Sequence, residues 1–178
     1  MIDHHQMALD MANDCLVKAT TESVRELCQG VIDEQTAEMT TLQAWLQEWH
    51  GITYTPMSMT EMMEMMGMGG TMGSMMGGDP MPGGMMEMQE MGHGMTVDPP
   101  MMMGMMAGLS QLFGVQYELA WLESMIDHHD DAINMSERLL ARLDSAGHAE
   151  LRELAQGIIN AQTAETEVVE QLIADLTT

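Results

Sequence analysis

The chain has 178 residues, enough for one compact domain with a core of its own, and 28 acidic against 5 basic residues give it a formal charge of -23 at pH 7. That balance excludes nucleic acid and anionic lipid surfaces as partners and favours cations. Apolar types make up 46% of the chain, yet 27 residues are Met and only 3% are aromatic, and no uninterrupted apolar run of about 18 residues is there to span a membrane.

The opening phrase "MIDHHQMALDM" begins a helix expected over Ile2 to Thr20. At 100° per residue Met1, His5, Ala8, Ala12 and Cys15 share one stripe, with His4 and Met11 at its edge. Thr20 and Thr21 offer caps for a second helix, Glu22 to Trp49, which Gly51 stops. Its inward stripe runs through Val24, Cys28, Val31, Met39, Leu42 and Leu46, interrupted by the polar Gln35 and Glu38. Residues 1–51 therefore read as a helical hairpin.

Composition then changes. All Met except Met1, Met7, Met11, Met39, Met125 and Met135 lie between Met57 and Met106. Gly pairs with Pro80, Pro82, Pro99 and Pro100 break any long helix there, so residues 52–98 read as a flexible Met/Gly-rich connection. A second hairpin is expected over 99–178. Its first helix starts near the Pro99–Pro100 pair and runs to Asp144, and its second runs from His148 to Leu176, with Gly147 between them.

The two hairpins repeat each other. "MIDHH" stands at Met1 and at Met125, and "RELCQGVIDEQTAEM" from Arg25 matches "RELAQGIINAQTAET" from Arg152. Such a duplication, with short turns inside each copy and a long connection between them, predicts an all-α four-helix bundle. The second copy has "YELAWLES" ahead of Met125, whereas nothing precedes Met1. The first helix thus reads as truncated, and an export signal upstream of it would be missing too; the chain itself shows no leader of that type.

Antiparallel pairing about a turn near Thr21 sets Cys15 level with Cys28, Ala8 with Gln35, and His5 and His4 with Glu38 and Met39. About Gly147 it sets Ala132 with Gln162, His129 with Glu165, and His128 with Thr166. Polar groups on a core stripe need partners, and a histidine backed by a carboxylate is a frequent arrangement around metals. His4, His5, His128 and His129 are therefore either core histidines satisfied by Glu38 and Glu165 or metal ligands. Their duplication beside Met1, Met7, Met11, Met39, Met125 and Met135 favours ligands, with Glu38 and Glu165 holding the imidazoles from behind. Imidazole plus thioether suits Cu(I) and Ag(I). The Met clusters, with His93, Met101, Met102 and Met105, extend the same donor set along the connection, against the plainer reading of a passive linker. Cys15 and Cys28 read as a disulfide if the protein is exported; a thiolate metal pair or two unrelated buried cysteines are the alternatives. His50 and His148 read as caps or surface residues.

Both copies resemble the family known as domain of unknown function 305, whose members have a ferritin-like helical bundle. The pattern is Met-Ile-x-His-His-x-x-Ala-x-x-Met on one helix and Gln-x-x-Glu-[Ile/Met] with a following Trp on the next. It is carried here by Met1, Ile2, His4, His5, Ala8, Met11, Gln35, Glu38, Met39 and Trp45, and again by Met125, Ile126, His128, His129, Ala132, Met135, Gln162 and Glu165. The resemblance implies an exported, periplasmic or secreted, protein that binds Cu(I) and Ag(I) through Met and His in copper resistance, with metal ions and other copper-handling proteins as partners. The second copy departs from the pattern: Thr166 follows its Glu, no Trp comes after, and Asp131 stands where the first copy has Met7. Two rival readings are a di-iron enzyme and a plain helical interaction domain. Di-iron chemistry needs Glu-x-x-His on two helices, and only Glu90 to His93 has that spacing, so a non-enzymatic role is expected.

Overall fold

The computed structural model describes residues 1–58, 61, 108–143 and 148–178. The described residues contain four long helices: α1 (Ile2–Lys18), α2 (Glu22–His50), α3 (Gly114–Arg142) and α4 (Ala149–Leu176). The described residues contain no strand, so the protein is all-α. Among them, no helix is long and apolar enough to cross a membrane. His93, Met101, Met102 and Met105, most of the 52–98 connection and Gly147 lie outside the described residues.

Two boundaries differ from expectation. The helix expected from Pro99 onward is interrupted: Gly108 and Leu109 are helical, Phe113 is extended, and Gly114, at a left-handed φ of 57°, opens α3; residues 99–107 lie outside the described residues. Leu109 is buried, and a turn at Ser110–Gln111 follows it, with Leu112 N donating to Leu109 O at 3.1 Å. The second difference lies at Thr20 and Thr21. α1 ends at Lys18, and neither threonine caps α2 through its own side chain. The amides and hydroxyls at this junction are met from another helix instead. Glu118 of α3, fully buried, accepts from Thr20 N at 2.6 Å and Thr21 N at 2.8 Å, and from their hydroxyls at 3.0 and 2.7 Å. At the other end of α2 Gly51 stops the helix with φ 66°, its N–H reaching Gln47 O while Ile52 N reaches Leu46 O.

α1 and α2 form one antiparallel hairpin and α3 and α4 the other. Their arginines at matching repeat positions do the same job: Arg25 donates to the carbonyls of Leu16 in the last turn of α1 and of Ala19 just past it, and Arg152 to Leu143 O just past the end of α3. Between hairpins α1 and α3 run antiparallel, tied at successive levels. Tyr117 OH donates to Asp14 Oδ2 at 2.9 Å, and Trp121 Nε1 to Met11 O at 3.0 Å. His128 Nε2 meets His4 O at 2.9 Å. The small Ala8 and Ala12, fully buried, admit the bulk of Tyr117, Trp121 and Leu122 into the core.

A disulfide joins Cys15 to Cys28 across the first hairpin, with Cα atoms 6.2 Å apart. The second copy has Leu139 and Ala155 at the corresponding places. Closing a loop of 13-residue separation is expected to contribute about 3 kcal/mol by restricting the unfolded chain. Urea denaturation of the oxidised chain against a Cys15→Ser/Cys28→Ser variant should show that loss; coincident midpoints would contradict it.

Candidate metal centre

The antiparallel crossing of α1 and α3 decides which histidines meet. It sets His4 beside the same position of the second phrase, His128, with ring centroids 3.7 Å apart and planes tilted by 35°. His5 and His129 sit next to them, each 6.2 Å from the preceding ring and turned toward α2 and α4. All four imidazoles are buried. The histidines of the two hairpins thus converge on one cluster.

Carboxylates back the outer pair. His5 Nε2 lies 2.7 Å from Glu38 Oε2 and is hydrogen-bonded to it. His129 Nε2 lies 3.1 Å from Glu165 Oε2 but off the hydrogen-bonding direction, so both His129 nitrogens remain without a hydrogen bond. Glu34, one turn before Glu38, is a third carboxylate of this group. Its pKa is raised, first by burial and then by Glu165 and Glu38, with His129 opposing.

Burial keeps the inner pair neutral. The pKa of His128 is pushed down to about 3, chiefly by desolvation and further by His129 and His5, while its hydrogen bond to His4 pulls the other way. His4 is lowered as well, first by desolvation and then by His128, His5 and the N-terminal ammonium. Neutral imidazole is the form that ligates metals.

Several buried polar atoms here lack any hydrogen-bond partner: both nitrogens of His4, Nδ1 of His5, His128 and His129, and the amides of Gln35 and Gln162. Such atoms are rare in folded proteins because each lost hydrogen bond costs about 1–3 kcal/mol. Unpartnered imidazole lone pairs fit a metal ion. Among the described residues no group of three or more His, Cys, Asp or Glu side chains is arranged to hold an ion.

The thioethers are distributed unevenly. Met7, Met11 and Met125 belong to the hydrophobic core, and Met39 is half-buried on α2. Met1 and Met135, one from each hairpin, line a single cleft with Arg138, Leu139 and Arg142. Residues that sequence reasoning missed are Glu34, Glu118 and Ser136, whose buried hydroxyl is also unpartnered. Glu34 was findable as the acidic residue one turn from Glu38; nothing in the sequence distinguishes Glu118 from the other surface-type glutamates.

Solved structures share this fold. CopM in its Cu(II)-bound form is 24% identical over 98% of this chain and 91% of that one, with a TM-score of 0.65. CopM in its Cu(I)-bound form is 20% identical with a TM-score of 0.64, covering 98% of this chain and 91% of its own. A DUF305 fragment from Deinococcus radiodurans is 26% identical with a TM-score of 0.65, over 98% of this chain and 91% of its own. No curated protein matches by sequence. The family model described as "Domain of unknown function (DUF305)" matches residues 1–173, all but the last turn of the chain, and the protein belongs to that family.

Proposed function

We propose that the protein binds soft monovalent metal ions, Cu(I) with Ag(I) as its surrogate, and sequesters them outside the cytoplasm in copper homeostasis or resistance. The observation that carries this reading is the cluster of four buried histidines with unpartnered nitrogens at the crossing of the two hairpins. A net charge of -23 draws cations toward it. Met1 and Met135, facing one cleft, offer thioethers from both copies, and the sequence between Met57 and Met106 adds many more, with His93, Met101, Met102 and Met105 among them. CopM has been solved with Cu(II), Cu(I) and silver bound, which supports the same ligand class here. The Cys15–Cys28 disulfide suits an oxidising compartment.

Competition with a chromophoric Cu(I) chelator should show several Cu(I) per chain. Replacing His4, His5, His128 and His129 by Ala should abolish the tightest class, helical content by circular dichroism being the control for folding. Fewer than one ion bound per wild-type chain sinks the proposal; an unchanged tight class in the variant moves the site away from the bundle.

A further inference from the structure

Resting on that reading, we infer that Nδ1, not Nε2, is the metal-donating atom of His5 and His128, and that Glu38 and the backbone carbonyl of His4 are the groups that put it there. The argument is about where each ring keeps its one proton. A backbone carbonyl can only accept, so the 2.9 Å contact from His128 Nε2 to His4 O requires the proton on Nε2. A second proton on Nδ1 would be a buried donor with no acceptor, since that atom has no partner. His128 is thereby fixed with a bare lone pair on Nδ1. His5 follows the same logic with a different acceptor. Its Nε2 donates to Glu38 Oε2 at 2.7 Å, and its Nδ1 is buried and unpartnered.

The other two rings are not fixed. Neither nitrogen of His4 nor of His129 has a hydrogen bond. Each hairpin therefore supplies one ring of set tautomer, His5 or His128, and one ring free to choose, His4 or His129. The acceptor for His128 belongs to α1 of the opposite hairpin. Docking of the two hairpins consequently holds that ring in its Nδ1-donating form, so metal binding there stabilises docking by linkage.

Long-range proton–nitrogen spectra of the metal-free, nitrogen-15-labelled full chain should show His5 and His128 as Nε2–H tautomers. On adding silver-109 nitrate, scalar coupling between silver and nitrogen should appear at Nδ1 of both. An Nδ1–H form of either in the free chain, or silver coupling at Nε2, overturns the assignment while leaving soft-metal binding intact. No imidazole response to silver removes the bundle site and the assignment together. Glu38→Leu, which deletes the acceptor, should weaken Ag(I) binding about 10–100-fold, and Glu38→Gln, whose amide oxygen still accepts from Nε2–H, should restore most of it. Equal losses in the two variants would assign Glu38 a role through charge alone and overturn its positioning role.

Discussion

Glu118→Ala is expected to cost about 4 kcal/mol of folding stability, because the substitution strips four hydrogen bonds from a buried junction and leaves their donors unmet. The carboxylate accepts from the amides and hydroxyls of both Thr20 and Thr21, which form the turn between α1 and α2. It comes from α3, so one side chain caps the start of α2 and pins the first hairpin to the second. Its pKa records the balance of forces: burial alone would raise it, and the hydrogen bonds from Thr21 and Thr20 outweigh burial and leave it lowered. Glu118→Gln keeps the shape and one acceptor oxygen, and should cost about half as much. Urea denaturation followed by circular dichroism reads both variants. A loss below about 1 kcal/mol for Glu118→Ala would show that the threonines find acceptors elsewhere.

That junction also shows why part of the fold was legible in the sequence and part was not. Helical periodicity and the repeat of "MIDHH" and "RELxQGxI" identify the four helices and the pairing inside each hairpin, because those contacts are local and follow from counting residues back from a turn. His5 beside Glu38 is such a contact, and so is Cys15 beside Cys28. Contacts between the hairpins depend on which helices face each other and in what register, and no local pattern encodes that. The tilted approach of His4 to His128, the hydrogen bond from Trp121 Nε1 to Met11 O and the contacts of Glu118 with Thr20 and Thr21 all belong to this second kind. The sequence presents "MIDHH" as two separate half-sites. The antiparallel crossing of α1 and α3 merges them, because it brings His4 against its own counterpart.

The break before α3 was not legible for a different reason. After Asp98 and the proline pair the sequence contains no further Pro, which suggests one continuous helix through Gly104, Gly108 and Gly114. Glycine lowers helix stability by about 1 kcal/mol relative to Ala, and at Gly114 the chain uses its freedom to take positive φ instead. Leu109, ahead of the break, is buried in the core.

Acidification of the metal-free protein should remove more stability than any single substitution considered above. Folded His128 and His4 both have pKa values far below the usual 6.5, with desolvation as the leading cause. An unfolded chain therefore binds protons at these positions that the folded chain refuses. The sign follows directly: stability from these rings is complete above pH 6.5 and is lost as pH falls from there toward the folded value, which for His128 is about 3. Each ring should cost about 1.4 kcal/mol per pH unit in that window, so the pair removes about 3 kcal/mol per unit. From pH 6.5 to pH 4.5 that amounts to about 6 kcal/mol, comparable with the low end of a typical total stability of about 5–15 kcal/mol, so the metal-free chain should be close to unfolding near pH 4.5. Glu118, with its lowered pKa, adds to the loss only below the ordinary carboxyl value of 4.5, so the histidine contribution is separable above it. Urea midpoints measured with a chelator present at half-unit steps from pH 7.5 to pH 4.5 test this (steps of about half a unit resolve the slope). A double variant, His4→Leu with His128→Leu, should flatten the profile over the same range. Excess Ag(I) should carry the wild-type decline to lower pH, because the ion competes with protons for the same lone pairs. A wild-type chain equally stable at pH 7 and pH 5 would mean that the cluster opens to water and takes up protons while folded, and the buried neutral centre would have to be given up.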